Sequence, residues 1–193
     1  KVLEVLREPI ESGRITISRA TAQSEFPAQF QLIAAMNPCP CGYHGDSSGK
    51  CHCSPDQVRN YRSKISGPLM DRIDLQVEVA RVSSGLLTGI EAEEVEASGV
   101  VRARVVEARE RQLARQQCPN HQLEGELLEK NCLLDRESQQ FLTHAIERLG
   151  LSGRGYHKVV RVARTIADLA GEADLTVDHL AEALSFRKLD RER

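Results

Sequence analysis

The chain has 193 residues, 40% of them hydrophobic and 28% charged, with a formal net charge of −2. That length holds one large domain or two small ones, and the near-neutral charge excludes a global basic field for nucleic acid or membrane, leaving local basic patches. With no Trp and only 4% aromatic residues, a core has to be built from Leu, Ile, Val and Ala.

The first residues, Lys1 to Leu6, are mid-helix in character, so a piece of a longer polypeptide is expected. Val2, Leu3, Val5 and Leu6 make a short helical face, which Pro9 should loosen and Ser12-Gly13 should end. Residues 14–19 alternate polar and apolar, as a half-buried strand does. Residues 14–30 are therefore read as a hairpin feeding a buried central strand over Gln31–Met36. A loop carrying four cysteines fills 38–54, and Ser54 or Pro55 starts a short helix through Tyr61. Residues 73–79 alternate again, predicting another strand, and Ser83-Ser84-Gly85 is a hinge.

Beyond the hinge the period turns helical. Helices are predicted over Glu91–Gln117, Leu134–Leu149 with an Asp135 cap, Ser152–Ala170, and Thr176–Arg187. Val95, Val101, Val105 and Leu113 mark the first; Tyr156, Val159, Val160, Ala163, Ile166 and Ala170 form one face of the third. The charged stretch Arg187–Arg193 should fray.

Cys39, Cys41, Cys51 and Cys53 form two Cys-x-Cys hooks separated by a Gly-, Asp- and Ser-rich loop that cannot build a core. Four thiolates satisfy tetrahedral Zn2+, and a closed set of four points to a structural rather than a catalytic ion. His44 and His52 are reserve ligands, and a redox pair or unligated thiols are the alternatives. Cys118 and Cys132 read as small hydrophobes.

Three polar residues stand out. Asn37 ends the apolar run, either as an Asn-Pro turn or as a polarising group where α/β ATP sites place one. Arg72 precedes a strand, either in a salt bridge with Asp71 or Asp74 or as a group stabilising a transferring phosphoryl. Arg154 opens a helix on which Lys158 and Arg161 follow on the same face, a solvated basic surface or a phosphate-reaching start.

The run from Ile15 to Gly42, with Asn37-Pro38-Cys39-Pro40-Cys41-Gly42, resembles the magnesium-chelatase-like AAA+ ATPases of the ComM/YifB group. So do Leu69-Met70-Asp71-Arg72-Ile73-Asp74-Leu75 and Gly153-Arg154-Gly155-Tyr156 with Arg161–Leu169. The resemblance implies sensor 1 for Asn37, an arginine finger reaching a neighbouring subunit's ATP for Arg72, and the sensor 2 arginine of a lid for Arg154. It implies that residues 14–30 are the pre-sensor-1 hairpin, which points into the pore of related ring helicases. In some of those relatives a lysine sits near the tip, where Thr21 falls here, with Arg14 and Arg19 the nearest cations.

On this reading the chain is an α+β fragment, mostly α. Residues 1–82 are the C-terminal part of an AAA+ core with its hairpin and zinc-type cysteine loop, and 86–193 are a helical lid bundle. No Gly-x4-Gly-Lys-Ser/Thr loop occurs, so the fragment by itself is expected not to hydrolyse ATP. ATP and Mg2+ belong to the complete protein. The implied function is part of a cytoplasmic hexameric ATPase acting on DNA, of helicase or branch-migration type and linked to natural transformation. A chelatase-type subunit remodelling a metal-inserting partner, and a zinc-stabilised protein-binding module without motor activity, are the alternatives. No apolar run is long enough to span a membrane and no signal peptide is recognised, so no membrane partner is expected.

Overall fold

A computed structural model describes residues 3–19, 22–46, 48–80, 82 and 96–187. The chain divides into two compact units, Lys1–Ile73 and Asp74–Arg193. The predicted hinge at 83–85 lies outside the described residues, as do 91–95 of the first predicted lid helix.

In the first unit a 3-10 turn, Leu3–Leu6, runs into α1, Arg7–Ser12. Pro9 does not loosen this helix. It occupies the first turn, where its missing N–H has no intrahelical partner to lose, and it is buried. Gly13 ends α1 at φ +67°, its N–H donating to the Pro9 carbonyl.

Strands β1, Arg14–Arg19, and β2, Ala22–Pro27, then form an antiparallel ribbon with Arg14 opposite Pro27 and Arg19 opposite Ala22. Apart from half-buried Ile15, both strands are exposed. Arg14 and Glu25 pair across the ribbon at 2.7 Å.

The central strand expected over Gln31–Met36 is not formed. Residues 31–37 are exposed, Ile33 by 84%. A strand needs a neighbour for its backbone groups, and among the described residues β1 and β2 pair only with each other. Helix α2, Pro55–Arg62, starts on a Ser54 capping box with Gln57 and Pro55 in its first turn, and α3, Gly67–Met70, starts on Ser66. Val58 and Leu69 are their buried residues.

The second unit is helical: α4 Ser98–Gln116, α5 Gly125–Asn131, α6 Arg136–Leu149, α7 Gly153–Ala170 and α8 Val177–Ser185, with a 3-10 turn at Asn120–Gln122. Its core gathers Leu123, Leu128, Leu142, Val159, Val160, Ala163 and Leu180 around α7. Cys132 is buried and Cys118 partly buried against this core, the small-hydrophobe roles predicted for them. Burial pushes the Cys132 thiol up to about 11, which keeps it protonated and unreactive. Asp135 accepts from the Ser138 N–H at 2.8 Å and Ser152 from the Gly155 N–H at 3.1 Å, so both predicted starts are real caps.

The expected strand over 73–79 is also absent. Gln76 is buried while Leu75, Val77 and Val79 are exposed, and the Gln76 N–H donates to the Phe186 carbonyl at 2.9 Å. On α4 the apolar Val101, Val105 and Leu113 are exposed, and Val95 lies outside the described residues. Ala108 and Gln112 are its buried residues. Arg187, expected in a frayed tail, is 1% exposed.

What fixes α4 against α7 is a carboxylate. Asp168 is 1% exposed and accepts from Arg115 at 2.5 and 3.0 Å, from Asn120 at 2.8 Å and from Arg164 at 3.2 Å. Arg111 donates to the Asp168 backbone carbonyl at 2.7 Å. Arg164, 2% exposed, also donates to the carbonyls of Glu172 and Ala173 at 2.6 Å each. Gly171 makes this turn possible. It sits at φ +80°, and a Cβ there would stand 3.5 Å from the Arg111 guanidinium.

Among the described residues no helix is long and apolar enough to cross a membrane. Because Asp168 neutralises a guanidinium that is itself buried, Asp168→Ala should destabilise the second unit by roughly 3–5 kcal/mol. Urea unfolding followed by far-UV circular dichroism measures this, and an unchanged midpoint would remove Asp168 from its central place.

Candidate metal centre

The cysteine loop is organised by two turns and one helix. The Gly42 N–H donates to the Cys39 carbonyl at 3.0 Å, closing a turn over Pro40 and Cys41, and the Asp46 N–H donates to Tyr43 at 3.1 Å. Gly42 has φ +82°, and a Cβ at Gly42 would come 3.8 Å from the Asn37 carboxamide. Asn37, itself exposed, therefore lies against the turn that carries the first hook. Arg62 on α2 donates to the Pro38 carbonyl at 3.2 Å and ties the start of the loop to that helix.

These constraints bring the Sγ atoms of Cys39, Cys41, Cys51 and Cys53 within 4.8 Å of one another. Cys39 lies 3.3 Å from Cys41 and 3.9 Å from Cys51, and Cys41 lies 3.7 Å from Cys51. Four thiolates at about 2.3 Å from a central Zn2+ have sulfur–sulfur edges of about 3.8 Å, so the donor set fits a tetrahedral ion. Disulfide bonding needs sulfurs near 2.05 Å, and all six cysteines are free thiols.

The electrostatics point the same way. Burial alone raises the Cys39 thiol. Hydrogen bonds from the Cys41 thiol, the backbone N–H groups of His44 and Cys41, and the Cys53 thiol outweigh that and bring it down to about 6. The Tyr43 N–H lowers Cys41. At Cys53 the Cys41 N–H favours the thiolate, but proton sharing with the Cys41 and Cys39 sulfurs, together with burial, pushes it up to about 11. One thiolate forms readily, and four forming together need a cation among them. The amide-to-sulfur bonds are the outer-shell contacts that orient ligand sulfurs.

Arg72 also lies in the first unit, at the end of α3. It donates to the Pro68 carbonyl at 2.7 Å and forms an ion pair with Glu11 of α1, leaving its side chain 12% exposed. Arg154 is in the second unit, exposed, in the first turn of α7. The basic face predicted with it is already engaged further along: Lys158 pairs with Asp74, and Arg161 donates to the His121 carbonyl at 3.1 Å. Asp74, expected as a partner of Arg72, pairs with Lys158 instead, and Glu11 and Asp168 were not singled out in the sequence. For Asp168 a local signal existed, an Arg164/Asp168 pair at i, i+4 on an otherwise apolar helix face.

The loop should take up one zinc per chain, measured by elemental analysis of zinc-replete protein. Losing a direct ligand outweighs losing an outer-shell partner, so Cys39→Ser should weaken zinc binding by roughly 100-fold or more. Four rapidly titrating thiols from this loop in zinc-replete native protein would count against a metal site.

Known families cover both units. Residues 1–87 match magnesium chelatase, subunit ChlI, and residues 95–187 match the C-terminal region of the same subunit. The chain is 44% identical over 191 residues to competence protein ComM of Haemophilus influenzae, covering 99% of this chain and 37% of that protein. It is 42% identical to YifB of Salmonella typhimurium and 41% identical to YifB of Escherichia coli, again over 99% of this chain and 37% of each relative. It thus spans a little over a third of the length of these relatives. With both units matched and the likeness running from end to end, the chain belongs to the magnesium-chelatase-like group that includes ComM and YifB.

Proposed function

We propose that the chain is part of a cytoplasmic AAA+ ring ATPase, hexameric in the complete protein, that acts on DNA in the manner of a helicase or branch-migration motor. The observation that carries this reading is the 44% identity, over 99% of the chain, to a protein named for competence. ATP and Mg2+ are the cofactors of the complete protein, and Zn2+ is a structural ion at Cys39, Cys41, Cys51 and Cys53.

Each role has local support. Asn37, beside the Cys39–Gly42 turn, acts as sensor 1 and orients the attacking water. Arg72 acts as the finger on a neighbouring subunit's ATP; Glu11 and the Pro68 carbonyl hold its guanidinium in a fixed orientation. Arg154 acts as sensor 2. It is exposed within the first turn of an 18-residue helix, where the unpaired N–H groups also favour phosphate. The exposed ribbon β1–β2, with Arg14 and Arg19 on it, is the element that contacts DNA phosphates.

The test uses the complete protein. DNA should stimulate its ATP turnover, and the stimulation should weaken as salt rises. Arg72→Ala should lower turnover by roughly a thousandfold, the order expected for an arginine finger. Asn37→Ala should also lose turnover, and an Asn37→Ala protein that hydrolyses ATP normally is not using a sensor at this position. The chelatase description of both matched regions favours a second reading, an ATPase that remodels a partner for metal insertion. ATP turnover that ignores DNA and rises with a partner protein would select it.

A further inference from the structure

The segment Asp74–Gln76 opens the second unit, and only Ile73 separates it from Arg72. Two contacts seat it on the helical bundle. The Asp74 carboxylate pairs with the ammonium of Lys158 on α7, a side chain only 13% exposed. The Gln76 N–H donates to the Phe186 carbonyl just past α8, with the Gln76 side chain buried.

Lys158 stands one turn beyond Arg154 on the same helix, about 6 Å along its axis. Burial pulls the Lys158 ammonium below the usual lysine range, and the facing Asp74 carboxylate opposes this; Arg161 and Arg187 add repulsion. Asp74 is thus the counter-charge that a partly buried ammonium needs. Two residues of chain span at most about 7 Å, so anything that moves Asp74 leaves Arg72 little slack.

We propose that Lys158 is a positioning residue: its ion pair with Asp74 ties the chain immediately after Arg72 to the helix that carries Arg154. This rests on the roles proposed above for those two arginines. A shift of α7 on phosphate contact at Arg154 is then passed to the chain next to the finger. The ion pair, rather than packing alone, is the link.

Two measurements test the link. In the 193-residue chain, hydrogen exchange at the Gln76 amide should be slow. Lys158→Met should speed it about tenfold, the size of coupling expected between residues in direct contact, and the charge swap Asp74→Lys with Lys158→Asp should slow it again. In the complete protein, Lys158→Met should lower kcat for ATP about tenfold with KM unchanged, while the swap and Lys158→Arg recover most of it. An unchanged Gln76 exchange rate in Lys158→Met overturns the proposal; if that variant does not fold, exchange in the swap that stays about tenfold faster than in the unsubstituted chain overturns it instead. Faster exchange with unaltered kcat, in a protein whose turnover Arg72→Ala abolishes, also overturns it while leaving the motor reading intact. Normal turnover in Arg72→Ala removes the finger itself, and the positioning role falls with it.

Discussion

The carboxylate of Asp168 is the constraint on which the second unit depends. A buried anion is unfavourable unless charge and hydrogen bonds surround it, and here Arg115, Arg164 and Asn120 all converge on it. Those partners come from α4, α7 and the turn between α4 and α5, so satisfying one group fixes three pieces of backbone. The apolar residues around α7 supply the burial, while the polar cluster selects which packing is adopted. At the other end of the same helix stand Arg154 and Lys158, so the geometry of the proposed nucleotide contact is inherited from a charge cluster near its C-terminus.

The first unit is ordered differently. Among the described residues its buried ones are few: Pro9, Cys39, Val58 and Leu69. Turns, caps and the sulfur cluster do most of the shaping between 38 and 54. A loop of that composition gains little from hydrophobic burial, and a bound ion would convert its four sulfurs into a cross-link. The chain thus has one unit with few buried residues and a sulfur cluster, and another built around a hydrophobic core.

What the sequence disclosed follows from range. Helix starts at Ser54, Asp135 and Ser152 could be read because a cap bonds within three residues of itself. The sulfur cluster could be read because its ligands lie within fifteen residues and their chemistry has few other uses. The strands expected over 31–36, from an apolar run, and over 73–79, from alternation, failed because neither pattern names a partner, and the partner decides whether a strand exists. Gln76 illustrates the point: its N–H donates to the carbonyl of Phe186, far along the chain. Arg72 and Glu11 are 61 residues apart, and Arg115 and Asp168 are 53 apart. No local pattern announces contacts of that separation. On α4 the apolar Val101 and Val105 are exposed while Ala108 and Gln112 are buried, Gln112 accepting from the Asn120 N–H.

The grip of Arg164 on the carbonyls of Glu172 and Ala173 bears on how the bundle opens. The connection between α7 and α8 lies at the surface, where connections normally fluctuate independently of the core. Here its backbone is fastened to a guanidinium in the interior, and releasing it would strip that cation of two of its acceptors, leaving Asp168. Opening of the connection is therefore coupled to the interior of the bundle rather than independent of it.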